Sequence, residues 1–340
     1  MSYYFKKVAT EVEAGSGCNR SGLPGELAAV EELLRERLSS EIPLVAELGD
    51  YLYKSGGKRF RPALAILFYK LFGARGEREA LLELAAALEL VHLATLVHDD
   101  VIDGSGARRA RPALWKVWGN RVAVLEGDFI FSRACSLLDR LEAPLRRLLL
   151  EAVEDLLEGE LLQEELRRSR RIPTVEEYFA VVRRKTGALI SAACLCGALL
   201  GDPEASPERL RVVRRAGLKL GTAYQMIDDL LDIFGDGRLG KPTWRDRDGG
   251  WITLPFIRLL QCSSPKERER LCLLLQAEAL SPEEKEELLR QLRSAKIRES
   301  FTLEARALID EAKRLLEGLG EKGPEGSLFE LMDSVIERIK

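Results

Sequence analysis

Apolar residues recur every three or four positions along nearly the whole chain, as in ELAAVEELLRERL (Glu26–Leu38) and FTLEARALIDEAKRLLEGLG (Phe301–Gly320). That spacing turns one face of a helix toward a core, whereas the two-residue alternation expected of strands is scarce. Starts are marked as well. Ser206-Pro207, Ser264-Pro265 with Glu267, and Ser281-Pro282 with Glu284 each place a capping hydroxyl before a first-turn proline, and the last two add the glutamate of a capping box. Thr174 with Glu177 makes another box. The thirteen prolines fall at or near such boundaries, so the helices between them run without a missing N–H or a ring clash. The pattern predicts about a dozen helices and an all-α bundle.

Composition narrows the reading. The 340 residues carry 52 basic and 55 acidic side chains, a formal net charge of -3, which leaves no basic footprint for nucleic acid. No Gly/Ser linker or low-complexity block divides the chain, so one domain is expected over residues 24–340, behind a loosely ordered arm at 1–23. That arm has no apolar h-region, and the most apolar stretch, Ala188–Gly201, is too short and too rich in small residues to span a bilayer. Six scattered cysteines (Cys18, Cys135, Cys194, Cys196, Cys262, Cys272) lack zinc-site spacing and read as reduced core thiols of a cytoplasmic protein.

One stretch does not fit a plain bundle. TLVHDDVIDGSGARR (Thr95–Arg109) ends an apolar helical run in three aspartates. Asp99 and Asp103 are four apart, which sets their Cβ atoms roughly 5 to 6 Å apart on one helix face, with Asp100 beside them. A single such cluster is most often a solvated helix end. The device recurs, however, in TAYQMIDDLLDIFGD, as Asp228, Asp229 and Asp232. Facing carboxylates repel unless cations lie between them, and an all-oxygen donor set selects a hard ion such as Mg²⁺. Mg²⁺ keeps waters and is held by one or two carboxylates plus substrate phosphates, so a diphosphate substrate is expected.

Cations for a diphosphate stand nearby in sequence. SGGKRFRP places Lys58, Arg59 and Arg61 in a glycine-led turn before a helix; Arg108 and Arg109 follow the first acidic cluster; RRKTG adds Lys185 and GKPTWRDRD adds Lys241. Any one of these alone would be read as a solvated charge.

GGKRFRP, HLATLVHDDVIDGSGARRARP, GDFIFSRA, EGELLQ, KTG, GTAYQMIDDLLDIFGD and LGKPTWRDRDGGWITLP, in this order, make the chain resemble the trans-prenyltransferases, the polyprenyl synthetase family. The likeness runs from Leu27 to beyond Pro255. It implies a single-domain isoprenoid-synthase-type bundle around a central cavity, and a homodimer. It also implies Mg²⁺-dependent condensation of isopentenyl diphosphate with an allylic diphosphate, by ionisation, condensation and proton loss. By position, Asp99 and Asp103 resemble ligands shared by two Mg²⁺ ions, with Asp100 close by. Asp228 resembles the ligand of a further ion, helped by Asp246, while Asp229 and Asp232 complete the second motif; about three ions per site are implied. Arg108, Lys185 and Lys241 match the allylic diphosphate site. Lys58, Arg61, His92 and Arg109 match the isopentenyl diphosphate site, and Thr186 and Gln225 match polar groups near the developing carbocation. His98, just before Asp99, is read as a structural or supporting residue.

Family likeness also places the elongating chain beside the helix that ends in Asp99, with side chains one or two turns earlier as its floor. Ala94 and Thr95, with Val91 and Leu88 deeper, are small enough at the first level to leave the tunnel open. A long-chain all-trans product of roughly thirty to fifty carbons is expected, with transient contact at a membrane surface for its release. The chain departs from the family pattern at Ala110 and Trp244 for glycines, Arg247 for a leucine and Trp251 for a lysine, with Arg245 and Arg247 as the nearest replacements for that lost cation. The alternatives are a short-chain farnesyl or geranylgeranyl synthase, a catalytically weakened subunit of a heteromeric synthase, and a class I terpene cyclase. The last would carry a different second metal motif and would not need GGKRFRP.

Overall fold

A computed structural model describes residues 22–108, 111–235, 243–320 and 325–339. Helices follow one another almost without interruption. They are α1 (Leu23–Arg37), α2 (Pro43–Lys54), α3 (Phe60–Leu71), α4 (Arg78–Ile102), α5 (Leu114–Trp118), α6 (Asn120–Leu138), α7 (Ala143–Arg168) and α8 (Val175–Val182). After a π-helical turn at Arg183–Gly187 come α9 (Ala188–Gly201), α10 (Pro207–Phe234), α11 (Arg245–Asp248), α12 (Leu254–Cys262), α13 (Pro265–Gln276), α14 (Pro282–Ser294), α15 (Ile297–Leu316) and α16 (Glu325–Glu337). The only strands among the described residues are two-residue pieces, Ala107–Arg108 paired antiparallel with Arg111–Pro112. The all-α expectation holds, and the predicted arm at 1–23 lies mostly outside the described residues.

The caps explain several of these boundaries. Thr174 with Glu177 and Ser281 with Glu284 form complete capping boxes, and Ser206 accepts the Arg209 N–H. The box expected at Ser264 does not form; its hydroxyl caps nothing, and α13 starts on its proline alone. One cysteine expectation also changes. Cys194 and Cys196 are buried, but Cys262 at the end of α12 is exposed.

α9 is the centre of the bundle, because its small and apolar residues are buried on nearly every side. It packs on α3, α7 and α10, while α4 runs alongside α3 and α6, and α15 covers α10. α4 is long and apolar enough to cross a membrane, yet 67% of its most apolar window is packed inside the fold, as suits a core helix. Its last turn carries the first aspartates.

Candidate active site

α4 delivers its aspartates at its C-terminal end, where the Asp103 N–H bonds back to the Asp99 carbonyl at 2.8 Å. Asp99 and Asp103 share a face because four residues are close to one turn; Asp100, one residue on, is rotated away from them. Its buried carboxylate takes the Arg108 guanidinium through Nε at 2.7 Å and Nη2 at 2.6 Å. The three aspartates therefore divide the work: two look into the site and one fixes an arginine at its rim.

Opposite them, the chain makes its π turn. A π turn displaces one residue from the helical ladder, and here it turns out Lys185 and Thr186. Two glycines let the turn lie so deep. A Cβ on Gly159 of α7 would come within 2.5 Å of the Lys185 nitrogen, and one on Gly221 of α10 within 2.6 Å of the Gly187 Cα. Lys185 Nζ donates to Glu160 at 2.7 Å and to Gln163 at 3.3 Å. Burial works against its charge, but Glu160 and Asp99 outweigh burial and raise its pKa. The Asp99 carboxyl, for its part, is pushed up to about 7 by burial, with Glu160 and Asp103 adding and Lys185 opposing.

α10 carries the second cluster, and its carboxylates also take separate partners. Asp228 is ion-paired to Arg338, beyond the end of α16. Asp229, 1% exposed, accepts from Tyr178 at 2.5 Å and from Gln225 at 2.9 Å. Asp232 accepts the backbone N–H groups of Arg245 and Asp246 at 3.2 and 3.3 Å, and so holds the start of α11. Burial pushes the Asp246 carboxyl up to about 7; Asp232 adds to the rise, while Lys185 and Arg245 oppose it.

The donors suit a hard divalent cation. Asp103 lies close enough to both Asp99 and Asp246 to add to the rise that burial gives each of those two carboxyls, and buried carboxylates so placed are costly without positive charge. Among the described residues no three His, Cys, Asp or Glu side chains form a ready-made metal cage. Mg²⁺ does not require one, since it is bound by one or two carboxylates with waters and substrate phosphates. Oxygen-only ligands fit Mg²⁺ and argue against softer ions.

A second group of cations lies on the other side of Asp228. The turn before α3 is pinned by Arg59, which adopts a left-handed backbone (φ 46°) and bonds Glu31 at 2.6 Å and Glu89 at 2.9 Å. Arg59 is thus structural, and the turn it pins delivers Lys58 and Arg61. Arg61 is buried with its Nε unpartnered, and Tyr224, Glu89 and Asp228 surround its charge. Arg338 lies with its guanidinium 4.5 Å from the Tyr224 ring centre and with Nε and Nη1 unpartnered. Two buried guanidiniums with donors to spare beside one carboxylate make an anion site. His92, two turns before Asp99 on α4, is half-buried. Arg109 and Lys241 lie outside the described residues.

The family model described as polyprenyl synthetase matches residues 42–292. The chain belongs to the polyprenyl synthetase family. It is 37% identical to the octaprenyl diphosphate synthase of Escherichia coli over 248 residues, 72% of this chain and 75% of that one. With the heptaprenyl diphosphate synthase component 2 of Geobacillus stearothermophilus it shares 35% over 316 residues, 92% and 95% of the two chains. A crystal structure of the polyprenyl synthase of Caulobacter crescentus, complexed with calcium and isoprenyl diphosphate, superimposes with a TM-score of 0.85 at 29% identity over 98% of each chain.

Within this polyprenyl synthetase, the departures from the family pattern have structural answers. Trp251 does not stand at the rim as an uncharged substitute for lysine; it is buried, 6.4 Å from the Tyr178 ring and 12° from parallel to it. Arg247 cannot replace a lost cation in the site, because its side chain points away to the carbonyls of Leu274 and Ala277 at 2.7 Å. Arg245 does face the cluster, 3.7 Å from Asp232. Trp244 packs against Phe256. His98 is structural: it bonds the Val124 carbonyl at 3.2 Å, in a space that only a glycine at 127 leaves open. Of the floor residues, Leu88, Val91 and Ala94 are buried, and Thr95 spends its hydroxyl on the His92 carbonyl at 2.8 Å. Tyr178 and Arg338 lie outside every motif, and Glu160 and Tyr224 stand within EGELLQ and GTAYQMIDDLLDIFGD without a role assigned to them there.

Proposed function

We propose that this chain is a Mg²⁺-dependent trans-prenyl diphosphate synthase that extends an allylic diphosphate with isopentenyl diphosphate to a long all-trans product. The observation that carries this reading is the meeting of Asp99, Asp103 and Asp246 with Lys185, beside an anion site built of Arg61 and Arg338. One half suits metal-bound phosphate and the other a second diphosphate.

Asp99 and Asp103 would hold two ions and Asp228 with Asp246 a third. When bound, the ions supply Lewis-acid stabilisation of charge on the leaving diphosphate. Lys185 and Arg108, the latter held rigid by Asp100, place fixed positive charge where that diphosphate gains its electrons; Lys241 is assigned to the same task by its motif. Lys58, Arg61, His92 and Arg109 hold isopentenyl diphosphate. The allylic carbon–oxygen bond breaks with its electron pair going to diphosphate, and the alkene of isopentenyl diphosphate bonds to the cation. A proton then leaves to the released diphosphate and restores an alkene, five carbons further on. Thr186 and Gln225 are the polar groups near the cation, and no protein nucleophile takes part.

Small side chains at Ala94 and Thr95 support a product of roughly thirty to fifty carbons, as do the long-chain names among the relatives. Incubation with farnesyl diphosphate, excess isopentenyl diphosphate and Mg²⁺, followed by sizing of the dephosphorylated products, tests both statements. Products ending at fifteen or twenty carbons would overturn the long-chain part, and no product at all would overturn the activity.

A homodimer in the cytoplasm, touching a membrane to release product, completes the proposal. Leu150, Leu157 and Leu161 form an exposed stripe on α7, and Val124 and Leu125 are exposed on α6, which suits packing against a second copy. The Geobacillus relative is named as one component of a synthase, and it favours a second reading in which a partner subunit is required. Activity of the purified chain alone decides against that reading.

A further inference from the structure

We infer that Asp229 is the polarity anchor of a hydrogen-bond chain, Tyr178–Asp229–Gln225–Thr186, which fixes the Thr186 hydroxyl with its lone pairs toward the reaction centre. The inference rests on the reading above that Thr186 borders the developing cation.

The direction of the chain follows from what each group can donate. Tyr178 donates its single hydroxyl proton to Asp229 Oδ2, at 2.5 Å. Gln225 has one donating and one accepting end. Its Nε2 faces Asp229 Oδ1 at 2.9 Å, which leaves its carbonyl for Thr186 Oγ1 at 2.7 Å. Thr186 owns a single hydroxyl proton and spends it on that carbonyl. Only lone pairs remain on its outward side, the sign needed beside positive charge. Were the amide reversed, its carbonyl would face the carboxylate, its NH2 would donate to Thr186, and the threonine proton would point at the cation.

The surroundings hold this arrangement. Gln225 and Asp229 are one turn apart on α10 and therefore share a face. Tyr178 is fully buried, and the near-parallel Trp251 ring covers it, so the phenol cannot swing away from Asp229. Trp251 is thus a brace for the chain's far end. Asp229 is also unsuited to hold an ion itself. Mg²⁺ keeps several waters, and a carboxylate 1% exposed with both oxygens engaged has no room for a hydrated ion, whereas the Asp228 side chain is 34% exposed. Tyr178, Trp251 and Asp229 are positioning residues in this account.

The test compares binding of two allylic diphosphate analogues by calorimetry: one carrying an ammonium group at the reacting carbon and one neutral thiolodiphosphate. Asp229→Asn lets the side chain donate to Gln225 and so reverses the amide. It is expected to lower the ammonium-to-neutral affinity ratio about tenfold, the size of one charge-assisted hydrogen bond. Asp229→Asn with Gln225→Glu moves the carboxylate one step along the chain, restores an acceptor for Thr186, and is expected to recover the ratio. Tyr178→Phe, a milder change, should lower it about threefold. Mn²⁺ binding to the free protein, followed by paramagnetic resonance, should be unchanged in Asp229→Asn. An equal ratio in wild type, Asp229→Asn and the double variant would overturn the inference, as would loss of Mn²⁺ binding in Asp229→Asn. Failure of wild-type turnover, with the ratios behaving as expected, would instead overturn the assigned activity alone.

Discussion

Replacing Arg338 by methionine removes one charge and little volume, and it should act in opposite directions on metal and on substrate. In the free protein the guanidinium is ion-paired to Asp228, and its side chain is only 12% exposed. Asp228, at 34%, is partly solvated, so losing the pair costs on the order of 1 kcal/mol rather than the 3–5 kcal/mol of a fully buried pair. The uncovered carboxylate then meets an incoming ion without having to release a cation first. Divalent metal should therefore bind the free variant a few-fold more tightly. Substrate should suffer the reverse. Once an ion takes Asp228, Arg338 has three nitrogens to offer, two of them unpartnered in the free protein and within reach of the same anion site as Arg61. A charge-assisted bond to a diphosphate is worth about 1.5–3 kcal/mol, so the KM for isopentenyl diphosphate should rise about 10- to 100-fold, with a smaller change in the KM for the allylic substrate. Initial rates at saturating allylic substrate, together with Mn²⁺ titration of the free protein, measure the two effects. An unchanged KM with unchanged metal affinity would refute the exchange of Arg338 between Asp228 and diphosphate.

Gly159→Ala would push a methyl group to 2.5 Å from the Lys185 nitrogen, backbone that cannot rotate away. We expect a destabilisation of about 1–3 kcal/mol and a loss of kcat beyond tenfold as Lys185 shifts; a variant with normal kcat and melting temperature would contradict this. Glu126, 2% exposed with one oxygen unpartnered, has its carboxyl raised by burial from 4.5 to about 7. Its protonated form is the one the fold prefers, so its contribution is fully present below about pH 4.5 and is lost as pH rises through 7. Glu126→Gln should accordingly raise the melting temperature at pH 8 by several degrees, from on the order of 1–3 kcal/mol, and change it little at pH 4.5; equal shifts at both pH values would show the charge to be irrelevant. Ala94→Phe adds a ring at a buried position one turn before Asp99 and should shorten the products, and unchanged product lengths would place the floor of the tunnel elsewhere.

How much of this could be seen in the sequence depends on the range of the interaction that made each feature. Helices and most caps are local: Thr174 and Glu177 are three residues apart, and their box forms as the spacing predicts. The acidic motifs are local too, since four-residue spacing puts Asp99 and Asp103 on one face whatever the rest of the chain does. The partner that each aspartate takes is not local. Asp100 faces Arg108 only because the helix ends at Ile102 and the following ribbon doubles back, and Asp228 meets a residue 110 positions later. A lone arginine two residues from the end of a charged chain carries no pattern. The same holds for Tyr178, whose burial depends on α8 packing beside α10.

Trp251 shows the limit most clearly, because at this position residue type alone points the wrong way. Against the family pattern it looks like a missing cation, and the nearby arginines look like its substitutes. In the fold Arg247 is tied to the carbonyls of Leu274 and Ala277, and Trp251 lies on Tyr178. Charge has been exchanged for stacking at that position. Lys185, Arg108, Arg245 and Arg338 each have a carboxylate partner in the free protein. A site whose cations and anions neutralise one another when empty avoids the cost of bare buried charge. On the proposed function, an arriving metal ion or diphosphate has to exchange partners with the Lys185–Glu160 and Arg338–Asp228 pairs.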